Sequence, residues 1–199
     1  MLLIVKPKIN KDTNKTIELA SEDNHVAVCV GVWDMGNTAI TFKATKETKI
    51  LHKILIRWEI DEEIQQEGEY KGKKKCVDKT YNFTFHEKSN LRRDVECWIG
   101  KLPDDVIMKG YDLENLIGQP CMLNIVHNKD EQGNTWVNVN NISKLPKGLQ
   151  PFITDNLEAY RQQEPAFVQN RRDGYAQKLA DYMATQNRPT TVEEEKAPF

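Results

Sequence analysis

The sequence predicts a mainly β fold: a small five-stranded barrel with one helix between its third and fourth strands, then a helical extension and an acidic tail. Three observations predict it. Apolar and polar residues alternate in short separate runs, as strands with one buried face require. In the central stretch 79–100, Tyr81, Phe83 and Phe85 alternate with polar residues and then period two stops. Ser89 is placed to cap a helix, Leu91, Val95 and Trp98 share one face of it, and Gly100 can close it in the left-handed conformation. Two strand-like runs precede this unit and two follow it, which is the plan of the five-stranded Greek-key barrel called the OB-fold.

In chain order, residues 1–22 are polar and weakly periodic, with Ile9, Ile17 and Leu19 available for a short strand or a segment across the barrel. The first strand runs from His25 to Trp33, with Val26, Val28, Val30 and Val32 inward and His25, Ala27, Cys29, Gly31 and Trp33 on the other face. Gly31 permits the sharp bend of a small barrel, and residues 34–37 read as a turn. Residues 38–51 form either a long loop or an extra edge hairpin. The second strand, 52–60, puts Ile54, Ile56, Trp58 and Ile60 on one face and Lys53, Leu55, Arg57 and Glu59 on the other. Residues 61–78 read as a long charged finger.

After the strand–helix unit come a connector, a short capped helical turn at 112–118, and strands at 121–128 and 135–142 joined by a hairpin loop. Val137 and Val139 face one way in the last strand, and Trp136, Asn138 and Asn140 the other. The expected organisation is a barrel domain over 1–148, a helical extension over 149–185 broken near Pro165, and a flexible acidic tail over 186–199.

Composition narrows the function. The chain has 199 residues, 29% of them charged, and a net charge of −2. No apolar run approaches the ~20 residues of a membrane span, and the N-terminal apolar stretch is too short for a signal-peptide core. A cytoplasmic protein without a membrane partner is the expectation. The four cysteines and four histidines are dispersed. Cys29, Cys97 and Cys121 fall in apolar elements where a thiol behaves as a small hydrophobe, so no metal and no cofactor is expected. There is no phosphate-cradling glycine loop and no strained nucleophile turn. Asp34 before Gly36 reads as a turn residue rather than a nuclease carboxylate, so no enzyme is expected.

The better candidate is the outward face of the barrel. A single strand of nucleic acid presents stackable bases on a charged backbone, met by exposed aromatics among Lys and Arg. Trp33 and Trp136 lie opposite the inward valines of their strands, while Trp58 and Trp98 sit on apolar stripes and read as core. Asn138, Asn140, Lys53 and Arg57 are placed for bases and phosphates. Lys43, Lys46 and Lys49, and Lys73, Lys74 and Lys75, form two basic clusters on a stretch, 1–148, with 22 basic and 22 acidic groups. The rival reading covers these tryptophans with loops or the C-terminal helices. At the C-terminus, Glu193, Glu194 and Glu195 precede Pro198 and Phe199. A terminal aromatic with its carboxylate behind an acidic run suits an apolar pocket rimmed by basic groups on a partner protein.

That tip is similar to the tip of bacterial single-stranded-DNA-binding proteins. The segments 34–36, 54–60, 83–92 with 98–100, 111–121 running into 125–127, and 145–148 resemble a family of bacteriophage OB-fold proteins that bind single-stranded DNA. The resemblance spans 25–148; the residues after 148 fall outside it. It implies a non-catalytic, largely sequence-independent role in phage DNA replication or recombination, with host or phage replication and recombination proteins as partners of the tip. It gives no set of contact residues. RNA is the other candidate ligand, and a homo-oligomer is compatible with the helical extension. The alternative class is a phage interaction module or inhibitor that occupies a host nuclease or defence protein through the barrel.

Overall fold

A computed structural model describes residues 18–154 and 157–186. Five antiparallel strands make one sheet: β1 (Asn24–Thr41), β2 (Thr48–Glu63), β3 (Lys74–Asn82), β4 (Pro120–Lys129) and β5 (Thr135–Ser143), in spatial order β3-β2-β1-β4-β5. Helix α1 (Asn90–Ile99), α2 (Asp104–Lys109) and a 3-10 turn (Leu113–Leu116) connect β3 to β4. Helices α3 (Leu157–Gln162) and α4 (Ala166–Gln186) follow β5. The terminal strands β3 and β5 curve toward one another, and α1 packs against both. None of the helices among the described residues is long and apolar enough to cross a membrane.

β1 and β2 are longer than the alternation predicts, because residues 34–37 are not a turn. β1 runs straight through them with a register shift between Asp34 and Gly36, where Gly36 takes φ +71°. An extra residue on one strand bends it without ending it. The chain reverses only at residues 42–47, so 38–51 is the far end of the β1–β2 hairpin. β4 pairs with β1 only over its first five residues, Asn24–Val28. β3 stays paired with β2 as far as Lys53, opposite Gly36 of β1, and only past that pair do β1 and β2 extend as a two-stranded arm.

A second shift, between Cys29 and Gly31, corrects the inward set. Ala27 and Cys29 point into the main core and Val28 and Val30 are buried on the opposite face; after the bulge the phase changes, so Val32 faces the core and Trp33 faces out. The main core joins Ile54, Ile56, Trp58 and Ile60 of β2 to Tyr81, Leu123, Ile125, Val139 and Ile142. α1 closes it with Leu91, Val95 and Trp98. Ser89 caps α1 by accepting from Arg92 N at 3.2 Å, and Gly100 ends it at φ +100°. Trp98 Nε1 donates to Pro120 O at 2.8 Å and fastens the helix to β4. Cys29 and Cys121 are buried, but Cys97 is exposed on the solvent side of α1.

The finger expected over 61–78 is confined to 64–73, because β2 runs to Glu63 and β3 starts at Lys74, where charged residues pair across the strands. Of the aromatic run, only Tyr81 lies in a strand. β3 ends at Asn82; Phe83 is 49% exposed, and Phe85 stacks on Tyr111 with centroids 6.2 Å apart. The buried carboxylate of Asp94 explains why Tyr81 is held: it accepts from Tyr81 Oη at 3.0 Å, Lys79 Nζ at 2.8 Å and Arg93 at 3.1 Å.

The helical pieces either side of Pro165 are α3 and α4. Val168 and Tyr175, seven residues apart on one stripe of α4, build a second small core with Met35 and Leu55 on the outer face of β1 and β2.

Candidate nucleic-acid interface

The outer face of β1 and β2 carries Trp33 and Arg57, two of the residues whose alternation marks them for a ligand, and the chain's own helices cover both. Trp33 does face outward, but Phe167 meets it edge-on at 5.8 Å and Tyr160 at 6.1 Å. Its ring also lies back over Gly31, where an added Cβ would overlap the indole. The expectation of an open indole is therefore corrected for Trp33, which the C-terminal helices shield.

Arg57 is likewise engaged. It makes a two-pronged contact with Asp78 (2.5 and 2.9 Å), and its guanidinium lies 3.6 Å from the centre of the Phe167 ring. Arg171 of α4 reaches the same carboxylate at 3.3 Å, so Asp78 ties α4 to the sheet. Lys53 is only 9% exposed and donates to Asn82 Oδ1. Burial holds its ammonium below the ordinary lysine range. Neither residue is a free surface cation.

The two lysine clusters sit at opposite ends of β2. Sixteen residues of strand separate them by roughly 50 Å, too far for a single patch. At the finger end the lysines are largely neutralised. Lys75 is 4% exposed and clamped by Glu18 at 2.8 Å and Glu62 at 2.5 Å. Burial works against its charge, and the bonds to Glu18 and Glu62 more than offset that, raising its pKa. Lys74 pairs with Glu63 at 3.1 Å, and Lys73 lies 5.0 Å from the Tyr70 ring.

The arm end is more exposed, with Lys43 on Glu131 at 3.4 Å and Lys49 on Glu47 at 3.3 Å as surface pairs. Lys43, Lys46 and Lys49 are exposed around the β1–β2 reversal, where Lys46 takes φ +56°. Phe42 beside them is 39% exposed. Lys43 Nζ lies 3.4 Å from Glu131, which brings this tip against the β4–β5 turn. Trp136 is the second residue of β5, the strand that leaves that turn. It is half-buried, and its Nε1 donates to Asp130 Oδ2 at 3.1 Å. Asp130 is held down to about 2, chiefly by hydrogen bonds from Asn134 and also from Trp136 and Gln132, so it remains an acceptor through the physiological range. Asn138 is half-buried, and Asn140 is exposed with Nδ2 3.0 Å from Asn124 Oδ1.

Phe42, His52, Phe83 and Lys88 are surface features that alternation alone misses. Phe83 and His52 meet edge-to-face at 5.0 Å. β3 ends at Asn82, which leaves Phe83 outside the strand and half exposed. Glu193, Glu194, Glu195, Pro198 and Phe199 lie outside the described residues. No protein-family model and no curated protein matches the chain.

Proposed function

We propose that the chain binds single-stranded nucleic acid, DNA before RNA, without catalysis, in an OB-type barrel whose strand path crosses the end where the β1–β2 tip meets the β4–β5 turn. In OB-folds these two loops flank the oligonucleotide. The observation that carries the reading is the 3.4 Å approach of Lys43 to Glu131, which sets Phe42 and three exposed lysines beside the strand of Trp136, Asn138 and Asn140. Aromatics supply stacking and lysines neutralise phosphates. The approach of β3 to β5 with α1 against both supports the barrel. On this reading Glu193, Glu194, Glu195, Pro198 and Phe199 dock a replication or recombination partner in a bacterial host cell infected by a phage.

The test is fluorescence anisotropy with oligo-dT and oligo-rU across a salt series. Replacing Lys43, Lys46 and Lys49 together with Gln should reduce the log K against log salt slope by about 2, from roughly 0.7 per lysine on single strands. Trp136→Ala should weaken binding about 5- to 150-fold, from the ~1–3 kcal/mol of a stacked base. Absence of binding to any oligonucleotide sinks the proposal.

One observation favours a second reading, a protein-interaction module: Trp33 and Arg57 are already occupied by Phe167. A gel shift with single- and double-stranded oligonucleotides separates the two.

A further inference from the structure

A cavity of about 520 Å³ opens between the edge of β3 and the first turn of α1. It lies within the central 79–100 stretch, which the strand-binding reading leaves without a task. Lys53, Lys79, His86 and Lys88 line it, and no Asp or Glu does.

The charges are unbalanced. Lys79 shares the buried Asp94 with Arg93, so two cations divide one carboxylate. Lys53, nine-tenths buried, has the neutral amide of Asn82 for a partner. Among the described residues no carboxylate forms an ion pair with Lys53 or Lys88. A dehydrated ammonium without a counter-charge is costly unless an anion arrives.

The walls are already formed. His86 O accepts from Ser89 N at 2.8 Å, and His86 Nδ1 lies 3.3 Å from Lys88 N, which fixes the turn that presents Lys88. Ser89 Oγ is committed to Arg92 N. The amides of Asn90 and Leu91, in the first turn of a ten-residue helix with no acidic residue there, have no intrahelical acceptor. Phe83, flanked by the lining residues Asn82 and Thr84, is half exposed beside the cavity.

We propose that this cavity binds the phosphoryl group of a nucleotide unit, with Lys53, Lys79 and Lys88 supplying charge and the α1 amides directional hydrogen bonds. The site stands independently of the strand path at the arm tip. Its volume exceeds that of one phosphate and accommodates an attached sugar. The same chemistry serves a phosphodiester, a terminal phosphate or a free nucleotide.

The experiment is a ¹⁵N NMR titration of the full chain with inorganic phosphate, followed by dT oligonucleotides with and without a 5′-phosphate. Saturable shifts at the Lys88, Asn90 and Leu91 amides are expected. They should weaken at least tenfold in Lys88→Gln, an exposed position that spares the fold, and in Lys53→Gln. Competition by both oligonucleotides identifies a phosphodiester, and competition by the phosphorylated one alone a terminal phosphate. Competition by neither identifies a free phosphate or nucleotide. No saturable shift with phosphate or the phosphorylated oligonucleotide overturns the site, as does wild-type affinity in both variants. Loss of phosphate binding with the salt slope of the tip lysines intact leaves the strand path standing.

Discussion

Phe167→Ala tests what holds the C-terminal helices on the sheet. The ring has the Arg57 guanidinium 3.6 Å from its centre and meets Trp33 edge-on at 5.8 Å. A desolvated cation over a ring is worth ~1–2 kcal/mol, and an aromatic pair ~0.5–1.5 kcal/mol beyond its buried area. Losing part of a half-buried phenyl ring adds about 1 kcal/mol. Because these contributions share one ring they do not add fully, and about 3 kcal/mol is the expected loss. α4 buries only Val168 and Tyr175 against the sheet, worth ~1.5–3 kcal/mol each before ordering costs. The loss is a large part of what holds α4, whose remaining ties are Arg171 to Asp78 and Arg172 to Asp34 O, so α4 should open far more readily while the sheet stays folded. In native-state hydrogen exchange, amides of α4 should lose about 100-fold of protection at 1.4 kcal/mol per decade. Amides of β1, β2 and β4 next to the main core should change little. Unchanged protection in α4, or an equal loss across helix and sheet, would refute the reasoning.

Asp94→Ala removes one acceptor from Tyr81, Lys79 and Arg93 together. Breaking a buried ion pair costs ~3–5 kcal/mol; with Lys79 about a fifth exposed, about 2–3 kcal/mol is expected in urea unfolding, and a change under 1 kcal/mol would contradict the role. Asp130 gives the pH test. Its carboxyl is held down to about 2 by Asn134 first, then by the Gln132 amide and Trp136, against ~3.9 in an unfolded chain. The β4–β5 turn is thus fully stabilised above about pH 4 and loses that contribution as pH falls through about 2. Trp136 fluorescence should report the change over that window, and Asp130→Asn should flatten it.

The local grammar of the chain is legible without a structure. Ser89 and Gly100 mark both ends of α1, and Leu91, Val95 and Trp98 mark its buried stripe, because capping and periodicity depend on neighbours a few residues away. Ile54, Ile56, Trp58 and Ile60 identify the inner face of β2 for the same reason. The face assignment of β1 was less accessible. Val26 to Val32 is apolar or small at nearly every position, and a bulge at Cys29–Gly31 changes the phase without changing the composition.

The sequence by itself determined the number and order of the strands, the helix that follows the third of them and the outward direction of Trp33, since side-chain alternation and helix caps are short-range properties. The extents of β1, β2 and β3 came from cross-strand pairing. Only the tertiary structure decided what meets those side chains. Phe167 reaches Trp33 and Arg57 across more than a hundred residues, Glu18 and Glu62 cancel Lys75, and Lys53 and Lys88 come together beside α1. Whether a charge or a ring is free for a ligand depends on partners that distance along the chain conceals.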